Sequence, residues 1–184
     1  MQKKLAFFAV AVCALGSTAA LAATPGYGYN SYGLYMGASA GALYYNEEDL
    51  AQMIPTIVEV HVGQQFNPYL AIEGRLGTNA SGGSAYGYHI NSNVIYGGYI
   101  KGMYPLNPWF SVYGIAGLGG ADWHRNYPHY NSNDIGLSFG VGGEFNVGGN
   151  AALNFEWARL TNGDNAGYGY TADTLMFGVN WRIQ

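Results

Sequence analysis

The connections between the predicted strands constrain this chain more than any other feature. Eight segments of about ten residues alternate apolar and polar side chains, which is typical of strands whose two faces meet different surroundings. The connections between these segments are long and short in strict alternation. An up-and-down barrel threaded through a membrane has this rhythm, because loops lie on one side and tight turns on the other. The predicted strands are 33–44, 56–66, 69–78, 93–104, 109–122, 134–147, 151–160 and 173–183.

The residues of the short connections support the same interpretation. Each contains the Pro, Gly or Asn that a tight turn requires. The short connections are Asn67-Pro68, Pro105 to Pro108 and Gly148 to Asn150, and the predicted long loops are 45–55, 79–92, 123–133 and 161–172. The sequence therefore predicts an all-β fold, an eight-stranded antiparallel up-and-down transmembrane β-barrel, with both termini on the periplasmic side.

The N-terminus has the pattern of a secretory signal. Lys3 and Lys4 precede an apolar stretch, and Ala20-Leu21-Ala22 supplies a small-x-small cleavage site. The apolar stretch is shorter than the roughly 20 residues that a spanning helix needs. We predict a signal peptide over 1–22 that directs export through the general secretory pathway, a flexible leader over 23–32 and a barrel domain over 33–184.

Composition separates a membrane barrel from an ordinary secreted domain. Charged residues make up 10% of the chain, whereas soluble domains carry about 25%. Gly (29 residues) and Tyr (17 residues) are abundant, as expected for a barrel with a lipid-facing surface and aromatic rims. Without Lys3 and Lys4 the chain keeps five basic residues (7 − 2 = 5) against eleven acidic ones, which argues against nucleic acid as a partner.

Charged residues identify the inward face of each strand. On the third predicted strand, Glu73 and Arg75 share one face, while Ile72 and Leu76 share the other. An Arg facing lipid at mid-membrane costs about 2–4 kcal/mol, so the charged face must line the lumen. The same parity predicts a polar network in the lumen made of Glu59, His61, Glu73, Arg75, Lys101, Glu144, Glu156 and Arg182. Two interpretations remain open: an ion-paired plug, or a narrow or gated pore.

Aromatic residues on the lipid-facing parity fall near the strand ends. Such rings favour the headgroup level, so two girdles are predicted. The outer girdle comprises Tyr44, Tyr96 and Trp157, and the periplasmic girdle comprises Phe66, Tyr104, Phe110, Phe145 and Trp181. Asp122 and Arg159 break the apolar rule near the outer ends of their strands, where the penalty for charge is small.

Candidate catalytic and metal-binding groups are sparse. Asp122, His124 and Asp134 could form a catalytic couple at the rim, but spacing of this kind is weak evidence and a solvated loop is the favoured interpretation. The four histidines have no ligand spacing with a carboxylate cluster. We therefore predict no catalytic residues, no metal site and no cofactor, and expect that the protein is not an enzyme.

Three segments carry a family resemblance. Phe66 to Arg75, Gly102 to Gly114 and Gly140 to Phe145 resemble the small outer-membrane β-barrel domain of opacity-type surface proteins and porin-family proteins. The resemblance covers nearly all of the mature chain and implies a Gram-negative outer-membrane location. It also implies contact with outer-membrane lipid and lipopolysaccharide, and insertion by the outer-membrane assembly machinery. That machinery reads an alternating last strand, here Leu175, Phe177, Val179 and Trp181.

The favoured function is a non-enzymatic surface protein, structural or adhesive through its extracellular loops. Tyrosines set among Gly, Ser and Asn suit adaptable contacts with an extracellular ligand. These loop tyrosines are Tyr86, Tyr88, Tyr127, Tyr130, Tyr168 and Tyr170. The alternative is a small porin or gated channel with a charged lumen. A membrane-embedded enzyme and a soluble barrel that binds a small apolar ligand are less favoured.

Overall fold

The computed structural model of the chain describes residues 32–47, 54–80, 83–85, 88–126, 129–165 and 168–183. Side chains are described within 32–44, 54–80, 94–121, 135–160 and 171–183. The predicted signal peptide, and all of the predicted leader except Tyr32, lie outside these residues. No helix long and apolar enough to cross a membrane occurs in the described part.

Nine strands make up the fold. They are β1 (Leu34–Glu47), β2 (Thr56–Asn67), β3 (Leu70–Asn79), β4 (Gly83–Ala85), β5 (Tyr88–Asn107), β6 (Phe110–Asn126), β7 (His129–Gly148), β8 (Ala151–Asn165) and β9 (Tyr168–Arg182). Eight of them pair antiparallel in a ring, in which β3 pairs with β5 and β1 pairs with β9. The short β4 pairs with β5. The predicted eight-stranded antiparallel barrel is confirmed.

The strands are inclined to the barrel axis. A row of paired residues that starts at Leu34 of β1 passes once around the barrel and returns to β1 at Tyr44, ten positions on (44 − 34 = 10). The row runs through Gln64, Ile72, Ile100, Ala116, Phe139, Arg159 and Asp173. With ordinary strand spacing, this stagger corresponds to a tilt of about 40°. The interior is then just wide enough for side chains to fill it.

The three short connections are tight turns at one end of the barrel, which we call the periplasmic end. Asn67 Oδ1 accepts a hydrogen bond from the Tyr69 amide at 2.8 Å. Asn107 Oδ1 accepts hydrogen bonds from the amides of Trp109 (3.0 Å) and Phe110 (2.8 Å). The third turn has glycines with positive φ at 148 and 149, a conformation that other residues rarely adopt.

The connections at the other end, which we call the outer end, differ from the prediction. The predicted loops 123–133 and 161–172 are largely strand, since β6 reaches Asn126 and β7 begins at His129, while β8 reaches Asn165 and β9 begins at Tyr168. Likewise β1 extends to Glu47 and β5 begins at Tyr88. Their Gly, Asn and Ser content suggested loops, but pairing with a neighbouring strand overrides weak local propensity. The barrel therefore continues into long hairpins.

Candidate functional site: the barrel interior and the outer hairpins

Burial follows the parity of the strands. Arg75 is 9% exposed, whereas the next residue, Leu76, is 58% exposed. The exposed residues of the mid-strand belt are large and apolar, among them Val60, Ile100 and Val141. An exposed apolar belt on a closed barrel is the surface that meets lipid. The charged side chains at mid-strand positions, such as Glu73, Arg75 and Lys101, lie inside.

Arg75 lies at the centre of the interior charges. Its Nε donates to Glu73 Oε1 at 2.6 Å, and its two terminal nitrogens donate to the carboxylate of Glu156 at 2.5 and 2.9 Å. A third carboxylate, Glu59, lies 3.6 Å from Nη1. The guanidinium carbon is also 4.8 Å from the centre of the Tyr99 ring. One cation thus organises three buried carboxylates, which would otherwise be costly to keep away from water.

A second group of charges lies nearer the periplasmic end. Lys101 Nζ is 3.3 Å from Glu144 Oε2 and 3.8 Å from Glu73 Oε2, and it lies 4.0 Å from the centre of the Tyr113 ring. Arg182 Nη2 donates to Glu144 Oε1 at 3.2 Å. Glu73 forms ion pairs with both Arg75 and Lys101 and therefore joins this group to Arg75.

His61 joins the network through an amide. Asn180 Nδ2 donates to Glu144 Oε2 at 2.8 Å, so Asn180 Oδ1 is the acceptor for His61 Nε2 (2.6 Å) and for Asn154 Nδ2 (2.9 Å). The structure therefore places all eight residues of the predicted lumen network inside the barrel and connects them. The sequence-based set omits Tyr99, Tyr113 and Asn154, although they share the inward parity.

An apolar layer fills the outer half of the interior, and the sequence analysis misses it. Ile57 is 2% exposed and lies nearer the outer end than Glu59 on β2. Leu160 likewise lies nearer the outer end than Glu156 on β8. The layer comprises Leu43, Ile57, Ile95, Ala121, Leu160, Ala172 and Met176. Its members share the inward parity of their strands, which is the signal that could have identified them. The charged half of the lumen is thereby covered on its outer side by closely packed hydrocarbon.

This layer leads to a conductance prediction. We expect the wild-type barrel to pass no steady current in planar bilayers, because ions would have to cross packed apolar side chains without hydration. The double variant Leu43→Ser, Ile57→Ser is expected to conduct, since it admits water to the layer. Val58→Ser, which changes the lipid-facing neighbour of Ile57, is the matched control and should stay silent. Steady wild-type currents that change with Arg75→Gln would contradict this prediction and favour the gated-channel interpretation.

The residues of the predicted girdles occupy the outside of the barrel. At the periplasmic end, Phe110 and Phe145 pack with ring centres 4.3 Å apart, and Trp109 stacks on Phe145 at 5.8 Å. Phe66, Tyr104 and Trp181 are exposed there. At the outer end, Tyr44 and Tyr96 are half-buried. Trp157 lies two residues from Arg159 on β8, on the side toward the periplasmic end. Its ring meets the Phe139 ring edge-on, with the ring centres 6.2 Å apart.

Arg159 is paired with an acidic neighbour on the outside of the barrel. Its Nε and Nη2 donate to the two carboxylate oxygens of Asp173 at 2.7 and 2.9 Å. The two residues are register partners on β8 and β9. A bidentate pair of this kind neutralises both charges near the rim, where Arg alone would have to reach for headgroups.

Strands β7 and β8 separate above this rim. Pairing between β7 and β8 ends at Phe139 with Arg159, and there the Ser138 hydroxyl donates to the Arg159 carbonyl at 2.8 Å. Farther out, the described residues of β7 pair with β6, and those of β8 pair with β9. The outward parts of these hairpins, 129–138 of β7 and 160–165 of β8, thus have a sheet edge on the side where the two strands separate. We call these two stretches the split edges.

The candidate rim couple lies within the same hairpins. Asp122, His124 and Asp134 belong to β6 and β7, and Asp134 pairs with Ala121 through the backbone. Their side chains, those of the other loop histidines and those of the loop tyrosines lie outside the described residues. Within the part that is described, no group of three or more His, Cys, Asp or Glu is placed to hold a metal ion.

Comparison with known proteins decides the family. A model of the outer membrane protein β-barrel domain matches residues 8–182. The chain belongs to this family. It is 35% identical over 98 residues to outer membrane protein X of Escherichia coli K12, an alignment that covers 50% of this chain and 53% of the relative. The chain thus spans about half the length of the curated relatives that it matches.

Solved structures show the same fold at low identity. Neisserial surface protein A matches with a TM-score of 0.63 and 15% identity, covering 82% of this chain and 97% of that one. Ail, the attachment invasion locus protein of Yersinia pestis, solved with the heparin analogue sucrose octasulfate, matches with a TM-score of 0.60 and 16% identity over 83% and 99% of the two chains. With its family membership, this fold makes the chain an outer-membrane β-barrel protein.

Proposed function

We propose that this outer-membrane barrel is a non-enzymatic surface protein that binds an extended polypeptide outside the cell through its split edges. The observation that carries the proposal is the separation of β7 from β8 beyond Phe139. A sheet edge offers backbone donors and acceptors to another strand, which is the basis of recognition by strand addition. The hairpins extend these edges beyond the Arg159–Asp173 pair at the outer rim.

The charge of the outer segments favours a polypeptide over a polyanion. The sequence has Glu47, Glu48, Asp49 and Asp164 in these segments against a single Arg125. An acidic surface repels sulfated or phosphorylated polymers at physiological ionic strength. The heparin analogue seen with Ail is therefore a poor guide to the ligand of this chain, whose identity with Ail is 16%.

The test uses proteoliposomes that present the barrel and two immobilised probes. One is a reduced and alkylated, permanently unfolded polypeptide, and the other is heparin. We expect binding to the unfolded polypeptide, with slower amide hydrogen exchange in 129–138 and 160–165. Binding to heparin alone, or binding to the polypeptide without protection of the split edges, would contradict the proposal.

Adjacent proline variants provide the matched control. Successive amides of a strand point to opposite sides, so one of Gly163→Pro and Asp164→Pro blocks the free edge while the other breaks the β8–β9 ladder. The edge-blocked variant should lose most of its binding and keep the exchange protection of β9. Equal binding by wild type and both variants would argue against strand addition.

The second candidate is a small porin or gated channel. The observation that favours it is the continuous charged network from Glu59 to Arg182. Conduction along that network would require the apolar layer to open on its outer side. The bilayer recordings of wild type and the serine variants therefore decide between the two functions.

A further inference from the structure

A small cavity lies against the most loosely paired members of the lumen network. It has a volume of about 10 Å³, the space for one water molecule, and it is lined in part by Ser39, Glu59, His61 and Asn154. Ser39 and Glu59 are register partners on β1 and β2, and Glu59 and His61 share the inward face of β2. Four hydrogen-bonding side chains therefore converge on one water-sized space.

His61 has a nitrogen without a hydrogen-bond partner here. Its side chain is 4% exposed, and within the described residues its Nδ1 makes no hydrogen bond. Because Asn180 Oδ1 is an acceptor, His61 Nε2 must carry the hydrogen of that bond. Nδ1 is therefore the atom that gains or loses a proton, and it faces Glu59 Oε1 at 4.0 Å. A buried nitrogen without a hydrogen-bond partner lowers the stability of the fold, but a water molecule in the cavity would supply that partner.

The charges of the network indicate how many protons Glu59 and His61 hold together. In the described interior, four carboxylates face three basic side chains. The carboxylates are Glu59, Glu73, Glu144 and Glu156, and the cations are Arg75, Lys101 and Arg182. Glu59 makes the longest of the three Arg75 contacts, 3.6 Å, so it is the carboxylate least well compensated. One proton more would make the interior neutral, and buried net charge is strongly disfavoured.

We propose that the cavity is a binding site for one water molecule, which bridges Glu59 and His61 Nδ1, and that this pair holds one proton. The proton makes the pair neutral in total, either as an imidazolium with a carboxylate or as an imidazole with a carboxylic acid. The other ionisable groups that line the cavity are Glu73 and Arg75 on β3, Lys101 on β5, Tyr113 on β6 and Glu156 on β8. Tyr35 on β1 lies against the His61 ring, and Glu144 on β7 lies behind the Asn180 amide that β9 contributes.

The test measures unfolding in lipid vesicles as a function of pH. The folded barrel keeps a proton that the exposed side chains of the unfolded chain release near neutrality. Stability is therefore fully present below about pH 6.5, where the unfolded His61 also holds a proton, and falls as the pH rises above that value, by up to about tenfold in the folding equilibrium per pH unit until the folded pair releases its proton. Glu59→Gln leaves three carboxylates against three cations and should remove this slope.

Asp173→Asn is the matched control, because it removes a carboxylate outside the lumen and should keep the wild-type slope. A flat wild-type profile, an unchanged slope in Glu59→Gln, or a flat profile in Asp173→Asn would each overturn the proposal. Nuclear magnetic resonance of the wild-type barrel provides a readout that does not depend on a variant folding. We expect a long-lived water signal at the His61 ring, and its absence would overturn the water site.

Discussion

Replacing Arg75 with alanine is expected to lower the free energy of unfolding of the barrel by about 3–5 kcal/mol. Arg75 is the shared partner of Glu59, Glu73 and Glu156, and its contact to Glu73 is 2.6 Å. Removing it leaves carboxylates close together in a buried interior without their central cation. The measurement is urea unfolding in lipid vesicles, supported by the temperature at which the folded band is lost on a gel.

Arg159→Ala is the matched control for Arg75→Ala. It also removes an Arg that is bidentate to a carboxylate, but the Arg159 side chain is 34% exposed at the outer rim. Pairs as accessible as this one contribute about 1 kcal/mol or less. Similar losses in the two variants would show that burial of the Arg75 network does not determine its contribution to stability.

Replacing Gly117 with valine is expected to destabilise the barrel by about 3 kcal/mol or to prevent its closure. A Cβ atom at this position would lie 2.9 Å from the carbonyl carbon of Gly98 and 2.9 Å from the Cα of Tyr99, and closer still to the Gly98 carbonyl oxygen. These are backbone atoms of the adjacent strand β5, so they cannot turn away as a flexible side chain would. The measurement is the same unfolding experiment, together with the yield of the folded band.

Gly98→Val is the control for Gly117→Val. Gly98 lies on the lipid-facing parity of β5, and a Cβ atom there would meet nothing within 4 Å. Valine is favoured in strands and suits a surface that meets lipid, so we expect little change or a small gain in stability. Equal losses in the two variants would indicate that the close approach of β5 and β6 at Gly117 does not limit packing.

Gly98 and Gly117 also show what the local sequence can and cannot predict. Both are glycines in regularly alternating segments, and parity alone assigns one to lipid and the other to the lumen. Parity does not reveal that the backbones of β5 and β6 approach so closely at Gly117, because that distance is set by the coiling of the closed sheet. Local propensity likewise did not reveal that pairing with neighbouring strands extends into the predicted loops at the outer end.

The sequence by itself determined the eight strands of the barrel, the three tight turns and the inward face of the charged residues at mid-membrane. These are local properties: turns need Pro, Gly or Asn, and at mid-membrane a charge must point inward whatever its partner. Only the tertiary structure decided which charges meet, because ring closure with its ten-residue stagger brings β3 against β8 so that Arg75 reaches Glu156. It also decided that an apolar layer covers the network and that β7 and β8 separate beyond Phe139. Both depend on the relative positions, along the barrel axis, of residues far apart in the chain. Alternation within a single strand does not encode these positions.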